Sequence, residues 1–140
     1  MTTAVDTNVI IALWDRDEAV SAAAESALDS ALRRGALVVA APVFAELLAA
    51  PGRDEAFLDS ILRDTSIRVD WDLDEAIWRA AGHAFRKYAT RRRRGHDPGP
   101  RRILADFLIG AHALRRGCCL LTLDDRLYRW AFPDLSVVKA

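Results

Sequence analysis

The stretch Ala4-Val5-Asp6-Thr7-Asn8-Val9-Ile10-Ile11-Ala12-Leu13 decides the fold. A short apolar, β-like run ends in an acid, a threonine and an asparagine, and an apolar helical run follows. That order reads as the first strand of an α/β fold, ending at Asp6 and turning directly into a helix. A carboxylate at the carboxyl end of a central parallel strand points into the crevice where such sheets place their ligands. Asp, Thr and Asn between a strand and a helix are also ordinary N-caps, and Asp6 taken alone is better explained as a cap. Its meaning depends on which other acids reach the same edge.

The rest of the chain alternates in the same way. Ala19 to Arg34 is Ala-rich, with Leu28 and Leu32 one turn apart, and predicts a helix that Gly35 can stop. Ala36 to Ala41 is a continuous apolar run, as expected of a strand buried on both faces. Pro42 sits where a helix can begin, and Val43 to Ala50 is that helix, carrying Glu46 among Phe44, Leu47 and Leu48. Asp54 to Arg63 predicts an amphipathic helix with Phe57, Leu58, Ile61 and Leu62 on one stripe. Ile67 to Val69 is a short strand. Asp72 to about Arg91 is the longest helix, with Ile77, Ala81, Ala84, Phe85 and Tyr88 facing inward. Arg91 to Pro100 reads as a loop, because Gly95, Pro98, Gly99 and Pro100 break helices. Ile103 to Arg116 is helical with Ile103, Phe107, Ala111 and Leu114 on one face. Cys118 to Leu121 is a strand, a short helix runs to Trp130, and Ser136 to Val138 is a last strand. Strands alternating with helices predict an α/β domain with a parallel sheet and helices on both faces.

Composition narrows the class. A chain of 140 residues, 51% of them hydrophobic, predicts one globular domain spanning the whole chain. Formal net charge is zero, yet Arg86 to Arg102 holds eight basic residues against Asp97 alone, a local charge of +7. The remainder is correspondingly acidic, and such a separation can steer a charged ligand. Cys118 and Cys119 offer neither a disulfide framework nor a CxxC pair and read as buried thiols in a reducing compartment. No signal-peptide pattern precedes Asp6 and no apolar run reaches the roughly 18 residues that span a bilayer, so the expectation is cytoplasmic.

Four acids are expected on one rim. Asp6 and Asp124 directly follow buried strands. Glu46 lies about one turn into the helix after the second strand, among apolar neighbours where it is costly without a partner. Asp106 lies near the start of a helix that runs back antiparallel to the Cys118 strand. Each has an innocent explanation: an exposed helix residue for Glu46, a dipole-favoured acid for Asp106, a turn residue for Asp124. Together they predict a divalent cation, and an all-oxygen site without Cys or paired His suits Mg²⁺ or Mn²⁺. Such ions activate water and stabilise charge developing on a phosphate.

Val5-Asp6-Thr7-Asn8, Glu46 after a strand, Ala105-Asp106-Phe107-Leu108-Ile109-Gly110-Ala111-His112-Ala113 and Leu121-Thr122-Leu123-Asp124 resemble, in order, the motifs of PIN domains. More narrowly, they resemble the VapC-type ribonuclease toxins of bacterial toxin–antitoxin pairs, over nearly the whole chain. The resemblance implies a five-stranded parallel sheet in the order 3-2-1-4-5. It implies a Mg²⁺- or Mn²⁺-dependent endoribonuclease, usually a homodimer, neutralised by a small VapB-like antitoxin. Carried over by position, the catalytic and metal-site acids are Asp6, Glu46, Asp106 and Asp124, with Asn8 and Thr122 as supporting polar residues. Asp125 is the alternative to Asp124.

Other readings fit less well. A haloacid-dehalogenase-like phosphatase needs a second Asp where Asn8 stands. A response-regulator receiver would use Asp70 and lacks its later lysine. A PIN-like module that only binds nucleic acid or protein is opposed by the four intact acids, since a degenerate site usually loses one, while a non-toxin RNA-processing nuclease shares the same sequence features. His83 and His112 lack metal-like spacing. Trp14, Trp71, Trp78 and Trp130 suit a core or interface, with base stacking as the alternative. The basic stretch is expected to contact RNA phosphates through Arg91, Arg92, Arg93, Arg94, Arg101 and Arg102. The stripe Phe57, Leu58, Ile61 and Leu62 is the expected dimer contact.

Overall fold

A computed structural model of the protein describes residues 1–95 and 101–140. Five strands, β1 (Thr3–Val5), β2 (Leu37–Ala40), β3 (Ile67–Asp70), β4 (Cys119–Thr122) and β5 (Val137–Lys139), form one sheet in the order β3-β2-β1-β4-β5. Every pairing is parallel; Thr3 is in register with both Leu37 and Cys119, and Val5 with Leu121. Every residue of β1, β2 and β4 is buried, so these strands are covered on both faces, as their unbroken apolar runs require. β3 and β5 are the edges and expose alternate or terminal residues. The order reverses at β1, and the crevice between the carboxyl ends of β1 and β4 is the switch point at which open α/β sheets bind ligands.

Among the described residues seven helices connect the strands: α1 (Thr7–Ala12), α2 (Glu18–Arg34), α3 (Ala41–Ala49), α4 (Glu55–Asp64), α5 (Glu75–Arg93), α6 (Leu104–Arg115) and α7 (Arg126–Ala131). Aspartates begin several of them. The carboxylates of Asp17, Asp54 and Asp74 accept the Ala19, Phe57 and Ile77 amides at 3.0, 2.8 and 3.0 Å. Asp6 occupies the same position on α1 but makes no side-chain cap bond. Its carboxylate is turned elsewhere, and the cap explanation does not hold. Gly35 permits the turn into β2: its φ is 157°, and a Cβ there would collide with the Met1 backbone.

Several elements depart from the sequence reading. α5 runs on to Arg93, so Arg91, Arg92 and Arg93 are its last turn rather than a loop. Three cations at a helix C-terminus complement the helix dipole, which extends the helix to the glycine. The remainder of the expected loop, residues 96–100, lies outside the described residues. α6 has no single inner face: residues 107 to 113 are all buried, while Ile103 is 55% exposed. It packs against α5, α3, β2 and β4 at once, and Gly110 leaves room for the Phe132 ring. Leu32 is exposed, and Ala24, Leu28 and Ala31 form the buried stripe of α2.

The proposed dimer stripe is mostly spent on the fold itself. Leu58 and Leu62 are buried and Ile61 packs on the same core, because α4 seats against β3 and α3. Phe57 alone remains exposed, beside Trp14. α6 is tied to β3 by polar contacts. His112 is buried, with Nε2 3.0 Å from Asp70 Oδ2, and Arg116 donates to the same oxygen at 3.0 Å and to the Asp72 carbonyl at 2.8 Å. The cysteines are free and buried, and among the described residues no helix is long and apolar enough to cross a membrane.

Two glycines test this packing in opposite directions. A Cβ at Gly110 would stand 2.6 Å from Cδ2 of the buried Phe132 ring and closer still to Cε2, whereas one at Gly82, on the exposed side of α5, meets nothing. Gly110→Ala is therefore expected to destabilise the fold by about 1–3 kcal/mol through overpacking. Gly82→Ala should stabilise it by about 0.5–1 kcal/mol through helix propensity. Urea denaturation of both variants against the parent checks the sign and the size.

Candidate active site

The carboxyl ends of β1 and β4 open into a pocket of about 230 Å³ lined by Asp6, Thr7, Asn8, Ile11, Glu46, Arg102, Asp106, Asp124 and Tyr128. The four acids expected on one rim are all in this lining. β1 delivers Asp6, the first turn of α6 delivers Asp106, α3 delivers Glu46, and the turn after β4 delivers Asp124. Asp125 is absent from it: it begins α7, and its carboxylate takes the Arg129 Nε at 2.7 Å. Asp70, the acid a receiver fold would use, is held by His112 and Arg116 outside the pocket.

Hydroxyl and amide groups fix these acids. The Asp6 Oδ2 atom accepts the Thr122 hydroxyl at 2.8 Å and the Tyr128 phenol at 2.9 Å. Asn8 locks the support, donating to Thr122 Oγ1 at 3.3 Å and accepting the Leu123 amide at 3.1 Å. Thr7 donates to Glu46 Oε1 at 2.6 Å, which answers the need of that acid for a partner. Asp106 reaches back to the Ile103 amide at 3.3 Å, so its helix-terminal explanation holds as well as its place in the pocket. Asp124 accepts Arg102 Nη2 at 2.9 Å.

The electrostatics are those of uncompensated negative charge. Burial, reinforced by Asp106, outweighs the Thr122 and Tyr128 hydrogen bonds and raises Asp6 from its ordinary 3.8 to about 6. Burial also raises Asp106, with Asp124 adding repulsion and Arg102 opposing it. Asp124 moves the other way, held low chiefly by the Arg102 hydrogen bond. Burial, then the charges of Asp6 and Asp106, push the Tyr128 phenol far above its usual range, so it stays a donor. Among the described residues Arg102 is the only basic side chain lining the pocket.

Among the described residues no three His, Cys, Asp or Glu side chains are close enough to form a ready-made cage for a metal. The acids are held by protein donors instead. The donor set nevertheless fits a hard divalent cation: carboxylates, hydroxyls and an amide, with no sulfur or imidazole, and two acids raised chiefly by burial and further by their acidic neighbours.

Thr7, Tyr128 and the inward turn of Arg102 were not read from the sequence as parts of this arrangement. Tyr128 lies one helical turn beyond Asp124, and that spacing is the only signal for it. The remaining arginines lie toward the end of α5. Arg91 stacks over Trp130 at 4.7 Å, with Lys87 at 5.1 Å. Arg92, Arg93 and Arg101 rim a second pocket of about 320 Å³ whose lining includes Phe85 and Tyr88.

The sequence model of the PIN domain family matches residues 3–133. The chain belongs to the PIN domain family. A comparison with curated proteins found no match. Solved structures similar to this PIN domain include VapBC2 from Rickettsia felis bound to a promoter DNA fragment, with 16% identity and a TM-score of 0.69 over 99% of this chain and 98% of that one. VapBC-1 from nontypeable Haemophilus influenzae aligns with 22% identity and a TM-score of 0.68 over the same shares. FitAcB from Neisseria gonorrhoeae aligns with 23% identity and a TM-score of 0.59 over 98% and 96%. At these identities the likeness is one of fold.

The raised Asp6 has a measurable consequence. The folded PIN domain binds this proton more tightly than the unfolded chain does, with values of about 6 and 3.8. The resulting stability is full below the lower value and is lost as pH rises through 6. His112, lowered by burial from 6.5, works in the opposite sense within an overlapping range. Comparing the parent with Asp6→Asn cancels the histidine. In metal-free buffer the parent should lose about 2–3 kcal/mol relative to Asp6→Asn between pH 4 and 7. Urea midpoints across that range are the measurement, and parallel curves would contradict the assignment.

Proposed function

We propose that this PIN domain is a metal-dependent endoribonuclease of the VapC kind, the toxin of a toxin–antitoxin pair, acting in the cytoplasm. The observation that carries the reading is the pocket in which Asp6, Glu46, Asp106 and Asp124 meet at the switch point of the sheet, two of them with raised pKa values. Family membership supports it, since PIN domains of this type are the ribonucleases that the sequence resembles.

Asp6, Glu46, Asp106 and Asp124 are the residues that would hold Mg²⁺ or Mn²⁺. When bound, such an ion supplies water activation and stabilisation of charge on the phosphate under attack. The chain itself does the positioning. Thr122 and Tyr128 hold Asp6 in one rotamer, and Asn8 keeps the Thr122 hydroxyl aimed at it. Thr7 orients Glu46. Arg91, Arg92, Arg93, Arg94 and Arg101, with Arg102, attract the RNA backbone that the acids alone would repel.

Two of the solved neighbours are described as VapBC, one of them bound to a promoter DNA fragment, and another as a toxin–antitoxin complex from Klebsiella pneumoniae, which supports a small VapB-like antitoxin as the partner here. A homodimer is part of the same reading. Its contacts would have to avoid the buried Leu58 and Leu62 and could include Phe57.

Asp6→Asn should keep the fold and lower Mn²⁺-dependent RNA cleavage at least about 100-fold, the upper range seen when only a supporting residue of a metal ligand is lost. EDTA should abolish cleavage by the parent. Full cleavage by the variant, or in EDTA, removes the mechanism and leaves a binding module. Neutralising Arg91, Arg92, Arg93 and Arg94 together should flatten the dependence of log RNA affinity on log salt by up to roughly three units, at about 0.7 per phosphate. An unchanged slope with loss of antitoxin binding alone would move these residues from the RNA to the protein partner.

A further inference from the structure

Arg102 differs from the other arginines of the basic stretch. Its backbone N–H donates to the Tyr88 phenol at 2.7 Å, which pins the residue at the rim of the pocket. Its side chain turns into the acids, only 21% exposed, with Nη2 on Asp124 Oδ2 at 2.9 Å. The charge of Asp106 is close enough to favour its protonated state.

The hold on Arg102 is strong in charge and slight in geometry. Among the described residues the contact is one hydrogen bond rather than the paired bonds of a guanidinium–carboxylate fork. It lies at the mouth of the pocket, since Asp124 is 37% exposed. Loss of it would not leave Asp124 bare, because Arg126 Nε stands 3.6 Å from the other carboxylate oxygen. Four carboxylates and one guanidinium leave the pocket negative. A divalent cation held by these acids would compete for Asp124 and repel a guanidinium beside it. With the backbone pinned, the yielding motion is a rotation of the side chain alone.

We propose that Arg102 is the resident counter-ion of the carboxylate pocket, that a divalent cation displaces it, and that the freed guanidinium then takes an RNA phosphate. Metal entry and RNA binding are thereby coupled through one side chain. The inference rests on the reading of the pocket as a metal site.

The experiment uses the full chain and Mn²⁺ alone as the first probe, followed by calorimetry or by the paramagnetic resonance of free Mn²⁺. Arg102→Met should bind Mn²⁺ about tenfold more tightly than the parent, and Arg102→Lys within about threefold of it. Arg126→Met, which also removes a charge near Asp124, should gain less than about threefold. The second probe is a short 2′-O-methyl RNA, with anisotropy read across salt concentrations. Mn²⁺ should steepen the parent's salt slope by about 0.7, one phosphate contact, and leave that of Arg102→Met unchanged. Thermal melts establish that each variant is folded, and Arg102→Gln replaces Arg102→Met should the latter not fold.

Mn²⁺ binding by Arg102→Met no tighter than by the parent overturns the displacement, and so does an equal gain in Arg126→Met. An equal Mn²⁺-induced slope change in parent and variant overturns the transfer to phosphate. Folded protein that binds no Mn²⁺ in any of these forms defeats the metal reading itself, and the proposal with it.

Discussion

A carboxylate that is 5% exposed, at the end of the central strand, is the constraint on which the rest of the site depends. Asp6 cannot be left unpaired there, because an isolated buried charge is far costlier than any single contact can offset. The fold therefore brings it two hydroxyls from the far end of the chain, Thr122 from β4 and Tyr128 from α7. Those bonds do not fully offset burial, as its raised pKa shows. The unmet demand for positive charge gives the pocket its character, and Glu46, Asp106 and Asp124 deepen it.

The chain answers that demand from one side only. Its formal charges cancel over the whole sequence, yet the positive ones crowd into the segment from Arg86 to Arg102. The last turn of α5 carries Arg91, Arg92 and Arg93, and Arg101 and Arg102 stand just ahead of α6. Arg102 is where the two regions meet, bonded to Asp124 by its side chain and to Tyr88 by its backbone. A phosphodiester arriving at this boundary would find cations outside the pocket and carboxylates inside it. That polarity suits a substrate whose backbone must be attracted and whose scissile group must then face a bound cation.

Much of this was legible in the sequence because burial on two faces leaves a plain record. The runs around Val5, Val38 and Leu121 are apolar without alternation, and they are the three fully buried strands. Asp6 and Asp124 were legible because an acid that follows such a run emerges at the carboxyl edge, and Glu46 and Asp106 because each sits in the opening turns of a helix that begins at the same edge. Strand order came from the family resemblance, as no local pattern encodes which strands are neighbours. Tyr128, Thr7 and the inward Arg102 were not legible, because a tyrosine, a threonine and an arginine look the same in sequence whether they face solvent or a carboxylate. The helix-breaking power of Gly95 and the prolines was read too early: cations stabilise a helix end, and α5 keeps its hydrogen bonds to Arg93. The stripe on α4 was read as an interface because amphipathicity does not say what covers it. Here β3 and α3 do.

On this reading the four carboxylates form one cation site once Arg102 yields. Anomalous diffraction from crystals of the chain soaked in Mn²⁺ tests it most directly. One or two anomalous peaks are expected inside the pocket bounded by Asp6, Glu46, Asp106 and Asp124, with the Arg102 guanidinium withdrawn from Asp124. Crystals at saturating Mn²⁺ with no peak in that pocket, from protein whose RNA cleavage still requires Mn²⁺, would contradict it.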